Sequence, residues 1–105
     1  MRGKMTEREH LLACLAEEAG EIIIACSKAL RFGEDDQSSS KERTNRGDIE
    51  VEIVHLIAVA EMLGLRSQDQ GERVIIQTKK LKVIEFMDYA GKRGTLLRER
   101  ERGVQ

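Results

Sequence analysis

Apolar residues return every three or four positions through the first third of the chain, at Leu11, Leu12, Leu15, Ala19, Ile22, Ile23, Cys26 and Leu30. That spacing predicts one long amphipathic helix. Thr6 with Glu9 three residues later reads as a capping box at its start, and Gly33 after Arg31-Phe32 supplies its stop. The next stretch, from Glu34 through Ser38-Ser39-Ser40 to Lys41, holds almost nothing to bury, so segment 34–44 reads as a mobile surface loop. A second helix follows, capped by Asn45 or Asp48, with Ile49, Ile53, Leu56, Ile57, Ala60 and Leu63 as its apolar set and Gly64 as its end. A third begins near Gln68 to Gly71 and carries Val74 to Ile76, Leu81, Val83, Ile84, Phe86 and Met87 towards Tyr89. An edge strand at Val74 to Ile76 is the weaker alternative for its β-branched start. Ala90 to Gly94 reads as a break, and 95–105 as a short final helix or frayed tail.

These elements predict an all-α fold: a helical bundle of three main helices plus a short C-terminal helix, in one domain spanning 1–105. Composition sharpens that picture. Only three of the 105 residues are aromatic, one Tyr and two Phe, so aliphatic side chains must form the core. A chain of this length buries about two thirds of its unfolded surface, and oligomerisation is expected to complete the bundle. Cys14 and Cys26 stand twelve apart on one predicted helix, beyond disulfide reach, which suggests a reducing compartment. With a polar N-terminus and no apolar run of membrane-spanning length, the expected location is the cytoplasm.

Charge totals exclude little by themselves, since 18 Lys and Arg balance 19 Asp and Glu. Their placement says more. Glu18 and Glu21 share a face of the first helix beside its apolar stripe, and two like charges one turn apart repel unless a cation, a proton or water separates them. On the second helix Glu52 and His55 are again one turn apart. If the two helices pack, Glu18, Glu21, Glu52 and His55 converge as a mostly hard-oxygen ligand set suited to Mg²⁺ or Mn²⁺. Either pair alone also fits an ordinary solvated helix face, and His55 alone fits a hydrogen-bonded boundary histidine. The conjunction points to metal.

The run Leu15-Ala16-Glu17-Glu18-Ala19-Gly20-Glu21-Ile22-Ile23, a polar loop, and Glu52-Ile53-Val54-His55-Leu56-Ile57 together resemble the MazG-like all-α nucleoside triphosphate pyrophosphohydrolases. The resemblance covers about residues 10–65, and Ser27 to Gly33 and Thr44-Asn45-Arg46 add to it. It implies Mg²⁺ held by an ExxE motif on one helix and an ExxD motif on the next. It also implies cleavage of a nucleotide between its α and β phosphates. Glu18 and Glu21 match the first motif; Glu52 and His55 occupy the acid positions of the second, with His55 where Asp is expected. An imidazole there removes one negative charge and cannot bridge two cations. Asp48 and, less directly, Glu50 are the acids placed to compensate.

Under this resemblance Glu17 or Glu21 positions or deprotonates the attacking water, while Lys28, Arg31 and Arg46 neutralise the phosphates. Lys79 and Lys82, on neighbouring turns of the third helix, are further phosphate candidates that also fit a solvated face. Asn45 fits a base or sugar contact as well as a helix cap, and Phe32 a base contact as well as packing. The leading expectation is hydrolysis of a nucleoside or deoxynucleoside triphosphate to the monophosphate and pyrophosphate by a homodimer or dimer-paired homotetramer. The alternative is a nucleotide- or metal-binding regulatory protein on the same scaffold without turnover, because of His55. Nucleic acid is disfavoured as a partner: Arg98, Arg100 and Arg102 alternate with Glu99 and Glu101, and no aromatic platform accompanies them.

Overall fold

A computed structural model describes residues 3–98, which form three α-helices and, among the described residues, no strand. Helix α1 spans Glu7–Phe32, α2 Asn45–Met62 and α3 Gln70–Arg93. The chain divides into two compact units, Met1–Arg66 and Ser67–Gln105.

The first unit is the α1–α2 hairpin. Its entry is the capping box that the sequence predicts: Thr6 Oγ1 accepts from the Glu9 amide at 3.0 Å, and the Thr6 amide donates to Glu9 Oε1 at 2.8 Å. Gly33, at φ 100°, ends α1 with its amide on the Ala29 carbonyl. The cap of α2 differs from expectation. Thr44, rather than Asn45 or Asp48, takes the N-cap, its hydroxyl accepting from the Gly47 amide at 3.1 Å. Gly64, at φ 69°, closes α2 in the left-handed conformation a β-carbon would strain.

Among the described residues three apolar side chains are buried, Ala25 and Ala29 on α1 and Leu63 at the end of α2. The two alanines fall on one line of the helix, and their small size lets α2 approach closely. Arg8 on the first turn of α1 donates to the Leu63 carbonyl at 3.1 Å, fixing the antiparallel pairing at one end. At the other end Asn45, 2% exposed, donates from Nδ2 to the Gly33 carbonyl at 2.9 Å. The intervening loop is exposed along most of its length, yet it is stitched to α2 by the Asn45 amide on the Asp36 carbonyl and the Arg46 amide on the Glu34 carbonyl, both 2.9 Å. Both cysteines are free thiols.

The second unit is α3 and the turn after it. Asp69 is its N-cap, accepting from the Glu72 amide at 3.0 Å. Val74 to Ile76 are helical, so the strand alternative fails: the segment continues a 24-residue helix whose later turns fix the period. The expected break at Ala90 to Gly94 is also shorter than predicted, since helix runs on through Arg93 and only Gly94 leaves it, at φ 82°. Gly91 is helical, and its missing β-carbon leaves room for the Arg98 side chain: a β-carbon there would meet Arg98 Cγ at 3.1 Å. Arg98 also pairs with Asp88 at 3.2 Å. Thr95 to Arg98 are not helical, and the remainder of the predicted final helix or tail lies outside the described residues.

Candidate metal centre

Glu18, Ala25 and Ala29 are spaced seven and four apart on α1, which puts both alanines within about 20° of Glu18 around the helix. Asn45, Glu52 and Leu63 share a line on α2 in the same way, seven and eleven apart. In each helix the other members of the line are buried, so each helix carries a carboxylate on its packing seam. Packing gives no reason for an acid there: the seam would be filled better by another small apolar residue. The two acids meet midway along the hairpin, and both side chains are only 20% exposed.

His55, one turn beyond Glu52 and about 60° further round, stands at the rim with 54% exposure. Its Nδ1 faces Glu18 Oε2 at 3.7 Å and Glu52 Oε1 at 3.6 Å. One donor atom from each of the three residues lies within 4.8 Å of the others, a surface cluster of two Glu and one His that could coordinate a metal ion. Glu18 Oε2 is shielded from solvent and has no hydrogen-bond partner. A buried acceptor left in this way costs about 1–3 kcal/mol, a cost that a cation would remove. Ligands about 2.1 Å from a shared ion stand roughly 3.0–3.5 Å apart, so the two gaps to His55, 3.7 and 3.6 Å, need close by only a few tenths of an ångström. The residues present fit a divalent cation.

Glu21, the fourth expected ligand, is exposed and is not part of this cluster. Three residues on from Glu18 it rotates about 60° off the seam, and Glu17 rotates about 100°, so both face outward. The compensating acids also sit elsewhere. Asp48 pairs with Lys41 at 2.8 Å and with Arg43 at 3.2 Å, and the Lys41 hydrogen bond is the main cause holding its carboxyl below the ordinary Asp range. Glu50 lies 3.8 Å from Arg46, both well exposed.

Of the expected phosphate-binding residues, Lys28 lines a cleft of about 350 Å³ with Phe32, Asp36, Ser38, Lys41 and Asn45. The Arg31 guanidinium lies 4.7 Å from the centroid of the Phe32 ring, a cation–π distance. Asn45 is bound into the fold: besides Gly33, its Oδ1 accepts from Lys41 Nζ at 2.6 Å. Lys79 and Lys82 are exposed on α3. The sequence carries no signal for Lys41: it sits in a loop with no periodicity, and nothing in the pattern ties it to Asp48 or Asn45.

No helix among the described residues is long and apolar enough to cross a membrane. No family model, curated protein or solved structure matches the chain.

Proposed function

We propose that the chain holds a divalent cation, Mg²⁺ or Mn²⁺, between Glu18, Glu52 and His55 and uses it to hydrolyse a nucleoside triphosphate to the monophosphate and pyrophosphate. The observation that carries the cation is Glu18 Oε2, a shielded carboxylate oxygen with no hydrogen-bond partner that faces His55 and belongs to the cluster with Glu52. The triphosphate rests on the resemblance of residues 10–65 to MazG-like pyrophosphohydrolases, supported by an α-helical hairpin that brings an acid from each motif together. In this reading water attacks the α phosphorus, the bond from that phosphorus to the α–β bridging oxygen breaks, and pyrophosphate leaves with the electron pair. The cation supplies charge neutralisation and a more acidic water. In this reading Glu21 and Glu17, both exposed, orient that water, and Lys28, Arg31 and Arg46 towards the loop end meet the departing phosphates.

A second reading is favoured by His55 at the position of the second motif's Asp together with Glu21 outside the cluster: metal and nucleotide binding without turnover. The two separate in one experiment. A nucleotide panel is incubated with Mg²⁺ or Mn²⁺ and assayed for monophosphate and pyrophosphate, while calorimetry follows cation binding. The enzyme reading expects both products from the wild type, cation affinity reduced at least about tenfold in Glu18→Gln and Glu52→Gln, and activity falling with it. Cation binding without products, and turnover appearing in His55→Asp, establishes the binding-only reading. A wild type that binds neither cation defeats both.

A further inference from the structure

We propose that the seam site takes Mn²⁺ or a later divalent transition ion in preference to Mg²⁺, with Nδ1 of His55 bonded directly to the metal. The inference rests on the reading of Glu18, Glu52 and His55 as a cation site and names its class of ion; it does not depend on the nucleotide. The sequence pattern points to Mg²⁺ or Mn²⁺ through four ligands, three of them carboxylates. In the structure Glu21 is exposed and stands outside the cluster, so two carboxylates and one imidazole remain. One donor in three is then nitrogen. Asp48 and Glu50, the acids that would restore an all-oxygen set, face Lys41, Arg43 and Arg46 instead.

The distances around His55 favour an inner-sphere ligand over an ion pair. An imidazolium bridging the two acids would hold charge-assisted hydrogen bonds of about 2.8 Å. Its Nδ1 instead lies 3.7 Å from Glu18 Oε2 and 3.6 Å from Glu52 Oε1. One ring atom thus stands almost equally far from an oxygen of each helix, and the Glu18 oxygen that it faces is the shielded one with no hydrogen-bond partner. A neutral imidazole with its proton on Nε2 carries a lone pair on Nδ1, the atom that faces both carboxylates. Mg²⁺ makes little use of that lone pair. It takes oxygen ligands and sheds water reluctantly, so the two carboxylates alone would bind it. Transition ions accept the nitrogen as well, with affinity at a given site rising from Mn²⁺ to Co²⁺. The third bond separates the two classes of ion.

The test is calorimetric binding of Mg²⁺, Mn²⁺ and Co²⁺ to the full chain at about pH 8, joined to pulsed EPR of the bound Mn²⁺, which detects a directly bonded nitrogen. The expected result is Mn²⁺ bound at least about tenfold more tightly than Mg²⁺, Co²⁺ more tightly again, and a nitrogen coupling on Mn²⁺. In His55→Ala the coupling disappears and Mn²⁺ affinity drops at least about tenfold, while Mg²⁺ affinity stays within about threefold. His10, the chain's other histidine, lies eight residues before Glu18, about 12 Å along α1, and is kept in that variant, so the loss assigns the nitrogen to His55. His55→Asp supplies a third carboxylate and narrows the gap between the ions from the Mg²⁺ side. Equal wild-type affinity for Mg²⁺ and Mn²⁺, or bound Mn²⁺ without nitrogen coupling, overturns this proposal and leaves the cation site standing. A wild type that binds none of the three ions overturns the site and the proposal together. Should either variant fail to fold, the wild-type coupling still decides.

Discussion

Two polar clusters lie on the α1–α2 hairpin, and they differ in how their demands are met. Around Asn45, at the loop end, each buried group has a partner: Gly33 and Lys41 for the side chain, Asp36 for the amide, and Asp48 for the other side of Lys41. Opposite charges there sit at hydrogen-bond distance. Midway along the hairpin, two carboxylates on the seam face an imidazole at the rim at 3.6 and 3.7 Å, too far to hydrogen-bond, and one carboxylate oxygen has no hydrogen-bond partner. A buried polar group with its bonds made holds a fold together; one that is left short is a site where the fold gives up stability for something it binds.

The contrast makes its largest demand at Asn45. Replacing it with Ala leaves the Gly33 carbonyl and Lys41 each short of a partner, while the main-chain bonds from positions 45 and 46 to Asp36 and Glu34 remain. Urea melts of Asn45→Ala should show a loss of about 2 kcal/mol. A loss under about 0.5 kcal/mol would mean that the loop-end cluster does not hold the hairpin.

A smaller effect is expected from pH. Asp48 has a lowered pKa because Lys41 hydrogen-bonds to it, with Arg43 adding attraction. A depressed folded pKa contributes stability that is complete above the ordinary Asp value and disappears as pH falls through the lowered one. Wild type should therefore exceed Asp48→Asn in stability at pH 6, and the gap should narrow steadily in melts carried towards pH 3. A gap that is constant with pH would remove Asp48 from the cluster's energetics.

Much of this was legible in the sequence, for reasons that differ by element. The Thr6 and Glu9 capping box and the glycine stops are local chemistry, readable from three or four residues. The α2 cap was not, because Thr44, Asn45 and Asp48 all have capping side chains, and the choice was made by a bond from Asn45 to Gly33 twelve residues away. Glu18, Glu52 and His55 could be predicted to converge because each lies on a three-to-four-residue line. Glu21 shares that periodicity yet falls outside the cluster: a three-residue step turns about 60° short of a full circle, and only the direction from which α2 approaches decides which of two neighbouring acids faces it. Arg98 folding back over Gly91 is a packing fact with no sequence signal.

The smallest effect is the most telling one. Glu18→Gln keeps the shape of the side chain, removes one of two facing negative charges and gives the seam an amide able to donate to Glu52. Were Glu18 a structural residue like Asn45, the change would be destabilising. As a ligand without its ion it costs the fold energy, so in chelator at about pH 8 the variant should match the wild type within about 0.5 kcal/mol or exceed it. Adding Mn²⁺ should then reverse the order, raising the melting temperature of the wild type and leaving that of Glu18→Gln in place, because only the state that binds the cation gains from mass action. A variant that loses 2 kcal/mol in chelator would put both clusters in the same structural class and leave the carboxylate seam without a functional reading.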